Sequence, residues 1–108
     1  MLKNFEKEAI RILAQGTLDE SVIKEITESN QASVEHTGAG YFLSVKSNSL
    51  PIERIVLNDP ILQAISDKAS AGLLAFIENS EFTLECHGWG DDEIPDDFRE
   101  TNVVVKAT

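Results

Sequence analysis

The strongest constraint on the fold is a single change of hydrophobic period near Asn30. Before it, apolar residues recur every three or four positions, first over residues 2–13 and again over 18–26. This spacing places them on one side of an α-helix, and Gly16 suits the break between two helices. The pattern over residues 1–30 therefore predicts a helical hairpin whose apolar stripes must be buried against another layer.

After this point the apolar residues alternate with polar ones, which is the pattern of β-strands with one covered face. Two such strands flank the glycine turn "TGAG", and two more flank Asn79 and Ser80 in "LLAFIENSEFTLECHGW". The segments "IERIVLN" and "NVVVK" add further strands. Residues 59–71 fit either a short helix or turn-rich crossing, or an irregular extended segment. Their opening Asp-Pro pair resembles a helix start and favours the first interpretation.

These elements predict one α+β domain over residues 1–108. An N-terminal helical hairpin (1–30) packs on one face of a mostly antiparallel sheet of about five or six strands (31–108). The other sheet face is available to a partner, because an antiparallel sheet needs only one covered face. No apolar run is long enough to span a bilayer, and the charged N-terminus is unlike a secretory signal. A cytoplasmic location is therefore expected.

The net charge of −10 is unevenly spread along the chain. Residues 1–54 contain six basic and eight acidic side chains, whereas residues 55–108 contain three basic and eleven acidic ones. Such a balance argues against nucleic-acid binding, which requires a basic surface. It suits a basic protein partner, since complementary charges speed encounter and disfavour wrong partners. The plain alternative is that the charge only maintains solubility.

The segment "LECHGWGDDEIPDDF", Leu84–Phe98, contains the only cysteine, the only tryptophan and one of the two histidines. Cys86 and His87 are neighbours in a predicted strand, so their side chains point to opposite faces and do not pair as nucleophile and base. No C-x-x-C or H-x-x-x-H spacing occurs, and "DDEIPDD" lacks the glycine and terminal glutamate of an EF-hand loop. The sequence predicts no enzyme, no metal site and no cofactor.

The same segment has the composition of a binding surface. Glycines surround His87 and Trp89, and a run of carboxylates follows. Aromatic anchors beside charged groups are typical of binding hot spots. The alternative is a solvated loop with Trp89 packed beneath it. The predicted partner-binding residues are Glu85, His87, Trp89, Asp91, Asp92, Glu93, Asp96 and Asp97.

Three stretches, "HTGAGYF", "AGLLAFIENSEFTLECHGWG" and "IPDDFRE", follow the two short helices. Over residues 34–100 this succession resembles the small acidic bacterial immunity proteins of contact-dependent growth inhibition and polymorphic toxin systems. The resemblance implies a protein that binds and neutralises a cognate basic toxin, expected to be a nuclease. An acidic surface would cover the active or substrate-binding site of that toxin.

Two alternatives stay open at the level of the sequence. One is a small ligand-binding domain or enzyme with a pocket near His36, Cys86 and His87. The other is a homodimer that uses the uncovered sheet face around Phe42. Neither a nucleic acid nor a membrane is an expected partner.

Overall fold

The computed structural model describes residues 1–90 and 92–107. Over these residues it confirms the predicted α+β fold, with two N-terminal helices packed on one antiparallel sheet of six strands. A short 3-10 helix precedes the last strand. In chain order the elements are α1 (Asn4–Ala14), α2 (Glu20–Thr27), β1 (Ser33–His36), β2 (Gly40–Lys46), β3 (Ile55–Ile65), β4 (Ser70–Glu78), β5 (Glu81–Gly88), the 3-10 helix (Phe98–Glu100) and β6 (Val104–Ala107).

The sheet has the strand order β1-β2-β5-β4-β3-β6, and every neighbouring pair is antiparallel. The predicted hairpins are β1-β2 and β4-β5. Asn79 and Ser80 form the two-residue turn of the second hairpin with φ values of 54° and 62°. Positive φ at both positions is the geometry whose twist matches that of the flanking strands.

The expected short helix or turn-rich crossing over residues 59–71 is wrong. β3 continues to Ile65, with an irregular register between Leu57 and Leu62 that contains the cis peptide Asp59-Pro60. After the irregularity, β3 pairs with β4 on one side and with β6 on the other. Backbone hydrogen bonds to β4 and β6 hold this segment extended. These partner strands lie elsewhere in the chain, so the residues of the segment itself do not predict the pairing.

The two helices cover one face of the sheet. α1 packs against β3, β4 and β6 through a buried stripe that includes Ile10 and Leu13. The alternate residues of the central strands meet this stripe and form the core, among them Leu43, Leu62, Leu73, Ala75, Ile77, Phe82 and Leu84. In the described part of the chain, no helix has the length and hydrophobicity to cross a bilayer.

Candidate protein-binding surface

The sheet face opposite the helices carries the other half of each alternating pattern. We call it the open sheet face. It includes Ser33 and Glu35 on β1, Phe42, Ser44 and Lys46 on β2, Glu81, Thr83, Glu85 and His87 on β5, Gly72, Leu74, Phe76 and Glu78 on β4, and Val56 and Gln63 on β3. No helix of the described residues packs on this face, and Val56 is 50% exposed.

Cross-strand register gives the open sheet face one regular row. Glu35 lies opposite Phe42, Phe42 opposite Glu85, and Glu85 opposite Leu74. Side chains directly opposite each other in an antiparallel pair have Cβ atoms about 5 Å apart. The row therefore places carboxylate, aromatic, carboxylate and aliphatic groups next to one another across four strands.

A second feature of this face is a cation–π contact, in which the Arg54 guanidinium lies over the Phe76 ring. The guanidinium carbon of Arg54 lies 5.1 Å from the centre of the Phe76 ring, and its Nη1 is 3.2 Å from Glu78 Oε2. The guanidinium is thus attracted by a ring face and by a carboxylate together. This pair shows which chemistry the open sheet face offers to a positive charge.

The structure places three of the predicted partner-binding residues on or beside this face. Glu85 and His87 are on β5, and His87 Nδ1 is 3.6 Å from Glu85 Oε2, a distance too long for a hydrogen bond. Trp89 is the first residue after the end of β5, and it is 38% exposed, so it is not packed under the loop. Its backbone N–H donates to Ser70 O at 3.0 Å, which fixes it against the start of β4.

Among the described loop acids, two contact other residues and two are exposed. Asp92 accepts a hydrogen bond from the backbone N–H of Ser70 at 3.0 Å, and Asp97 forms an ion pair with Lys68 at 3.2 Å. Glu93 and Asp96 are exposed. Asp91, also predicted, lies outside the described residues. Part of the acidic run therefore holds the loop in place.

The apolar residues of the loop point inwards. Ile94 and Phe98 are buried, and the Phe98 ring meets Phe5 of α1 edge-on with centroids 6.0 Å apart. These two contacts seat the loop on the core, so only its polar side faces water. The loop lies at the end of the sheet where β5 ends and β4 begins.

Several residues of this surface were not predicted from the sequence, among them Glu35, Leu74, Phe76, Glu78 and Glu81. Each belongs to a strand whose alternation was recognised, so the signal was present. The dense acidic run is the more conspicuous pattern, and the order of strands in a sheet cannot be read from one sequence. Only the register shows that carboxylates on β1 and β5 lie on either side of Phe42.

A buried polar network lies on the opposite, helix-covered side. Glu6 of α1 is 0% exposed and accepts hydrogen bonds from Tyr41 Oη at 2.5 Å, Arg99 Nε at 2.6 Å and Arg99 Nη2 at 2.9 Å. The backbone N–H of Lys3 donates a fourth bond at 2.7 Å. All of these partners stabilise the charged carboxylate. The network ties α1 to β2 and to the 3-10 helix.

The network bears on any chemistry at Cys86. Burial, followed by the nearby Glu6 carboxylate, raises the pKa of the Cys86 thiol to about 12. Burial and the same carboxylate also raise the pKa of the Tyr41 phenol far above its ordinary value. A buried, protonated thiol is a poor nucleophile at neutral pH.

The three residues of the suggested small-ligand pocket are not brought together. Cys86 is buried under the helices, whereas His87 points to the open sheet face. His36 is exposed, with its ring centre 6.0 Å from that of Tyr41 on the helix side. Among residues 1–90 and 92–107, no group of three or more His, Cys, Asp or Glu side chains is arranged to hold a metal ion.

Comparison of the chain with protein-family models, curated proteins and solved structures found no match.

Proposed function

We propose that this chain is an immunity-type protein that binds a basic toxin through the open sheet face and neutralises it by covering its substrate-binding site. The observation that carries the proposal is the row Glu35, Phe42, Glu85 and Leu74. It combines apolar contact area with negative charge, which is the composition of a surface that recognises a basic protein.

The size of the surface supports the proposal. With strands about 4.8 Å apart and a rise of about 3.3 Å per residue, six strands of about seven residues give a face of roughly 650 Å². A stable protein complex buries about 800 Å² on each partner. The open sheet face alone is somewhat smaller than this, so the proposed interface also includes the neighbouring loop with Trp89.

The charge of the whole molecule supports a basic partner over a second copy. A net charge of −10 makes two copies repel each other, whereas it attracts a nuclease, whose surface must be basic to hold nucleic acid. The exposed carboxylates of Glu93 and Asp96 extend the negative surface beyond the sheet. The likeness of three sequence stretches to immunity proteins gives the class of partner.

The test is co-expression with the protein encoded next to this gene, followed by purification of the complex. We expect that co-expression restores the growth of cells that produce the toxin. We also expect the two proteins to purify as a one-to-one complex. The double variant Glu35→Gln/Glu85→Gln should lower the association rate at low salt roughly threefold or more, because two charges of the steering field are lost.

A matched control is the double variant Glu8→Gln/Glu28→Gln, which makes the same change of net charge at exposed positions of the N-terminal helical hairpin (1–30). It should change the association rate much less. Equal effects of the two double variants would refute the placement of the interface. Sedimentation of the protein alone as a dimer, with no binding to the neighbouring gene product, would refute the proposed function.

A further inference from the structure

A slot opens on the sheet beside Trp89, and Gly72 is one of the residues that line it. Gly72 lies near the start of β4, where Leu74 and Phe76 follow it on the same face. A Cβ atom at this position would come within 2.6 Å of His87 Nε2 and 3.2 Å of Trp89 Cε3. A glycine inside a strand often marks such a close approach.

The slot has the volume of one side chain. Its volume is about 200 Å³, and its lining includes Asn58, Ile61, Leu74, His87 and Trp89. Pockets for small-molecule ligands measure about 300–1,000 Å³, so this slot is too small for most of them. Its walls are mostly apolar, and Ile61 is 58% exposed. One projecting side chain of a bound protein would fill it.

The charge at its rim identifies the kind of side chain. His87 lies directly opposite Gly72 and lines the slot. Glu85 lies just outside the lining, directly opposite Leu74 and with its Oε2 3.6 Å from His87 Nδ1. Within the described chain, no Lys or Arg nitrogen is within 4.0 Å of the Glu85 carboxylate. An aromatic ring and a carboxylate are the two groups that hold Arg54 at Phe76 and Glu78. Here the Trp89 ring lines the slot and the Glu85 carboxylate lies just outside it, beside His87 and paired with no Lys or Arg of the described chain.

We propose that the slot beside Gly72 receives an arginine side chain of the protein partner, with its stem along Leu74 and Trp89 and its guanidinium reaching Glu85 just outside the lining. Arginine fits better than lysine because its planar head stacks on aromatic rings and its stem covers apolar surface. The inference rests on the proposed function for the source of the arginine. It adds which residue of the partner is anchored and where.

The test uses the full chain and three small probes: N-acetyl-arginine amide, N-acetyl-citrulline amide and N-acetyl-leucine amide. Citrulline keeps the shape of arginine without its charge. Nuclear magnetic resonance titration follows the Trp89 indole N–H and the Gly72 and Glu85 amides, and Trp89 fluorescence gives a second signal because it is the only tryptophan. We expect arginine amide to bind at least about fivefold more tightly than the other two.

Two glutamates on the same strand and face provide the matched variants. Glu85→Gln should reduce arginine binding to the level of citrulline, whereas Glu81→Gln should leave it unchanged. Gly72→Ala should weaken all probes, since its new methyl group displaces His87 and Trp89. Dispersed spectra would show that each variant is folded.

Three results would overturn the inference: no shift at these three groups, leucine amide binding as tightly as arginine amide, or equal loss in Glu85→Gln and Glu81→Gln. These outcomes are separate from those of the toxin experiment. Toxin neutralisation without arginine binding would refute the arginine slot and leave the proposed function supported. Arginine binding without toxin neutralisation would support the arginine slot and refute the proposed function.

Discussion

Replacing Arg99 by Met tests the buried network directly. The side chain of Arg99 is only 15% exposed and provides two of the four hydrogen bonds to Glu6, together with the compensating charge. Its hydrogen bonds to Glu6 raise the pKa of Arg99, so the guanidinium stays protonated at ordinary pH. Arg99→Met keeps the aliphatic stem and leaves the Glu6 carboxylate buried with Tyr41 Oη and the Lys3 N–H.

The expected loss follows from what remains at Glu6. Removing one partner of a buried ion pair costs about 3–5 kcal/mol, because the other charge stays desolvated without compensation. Two hydrogen bonds remain and Arg99 is partly accessible to water, so we expect about 3 kcal/mol, near the lower limit. Domains of this size have unfolding free energies of about 5–15 kcal/mol. The variant should therefore fold, with its urea midpoint clearly lowered.

Urea unfolding at pH 7, followed by circular dichroism, measures this loss. Lys3→Met is the control, since the Lys3–Glu100 ion pair is exposed and should contribute less than about 1 kcal/mol. In the double variant Glu6→Gln/Arg99→Met, the total loss should be smaller than the sum of the single losses. If Arg99→Met lies within about 0.5 kcal/mol of the unmodified protein, Glu6 is solvated and the reasoning is wrong.

Two further predictions concern the contacts around Cys86. The folded protein keeps the Cys86 proton up to a pKa of about 12, whereas the unfolded thiol loses it near pH 9. This contribution to the unfolding free energy is complete below pH 9 and falls as pH rises, by up to about 1.4 kcal/mol per pH unit. Denaturation at several pH values should show this slope and its loss in Cys86→Ala; parallel curves would contradict it. Gly40→Ala places a Cβ atom 1.8 Å from the Cys86 carbonyl oxygen and should lower the melting temperature far more than Gly38→Ala, whose Cβ meets nothing within 4 Å. Equal shifts of the two glycine variants would refute the close approach.

The alternation of residues determined much of the fold by itself. The helical period over residues 1–30 and the alternation after them were sufficient to predict an α+β domain with one covered sheet face. The same alternation placed Cys86 and His87 on opposite faces, as the burial of Cys86 and the position of His87 confirm. These features depend on neighbours a few positions apart, which is the range over which a single sequence is informative.

The candidate site depends on contacts between residues that are far apart in the sequence. The sequence predicted Trp89 and the loop carboxylates as binding residues. In the structure, however, Asp92 accepts a hydrogen bond from Ser70 and Asp97 pairs with Lys68, so these two acids hold the loop in place. The row from Glu35 to Leu74 exists only because β1, β2, β5 and β4 lie side by side. Strand order follows from how whole strands pack, and alternation within one strand contains no information about it.

The tertiary structure alone decided the role of Glu6. In the sequence it is one of several charged residues around the apolar stripe of a helix, where exposure to water is the usual outcome. Its partner Arg99 is 93 positions away, and Tyr41 is 35 positions away. Burial of a carboxylate is favourable only when a cation and hydrogen-bond donors surround it. Folding brings those groups together from distant parts of the chain, and local periodicity contains no record of that meeting.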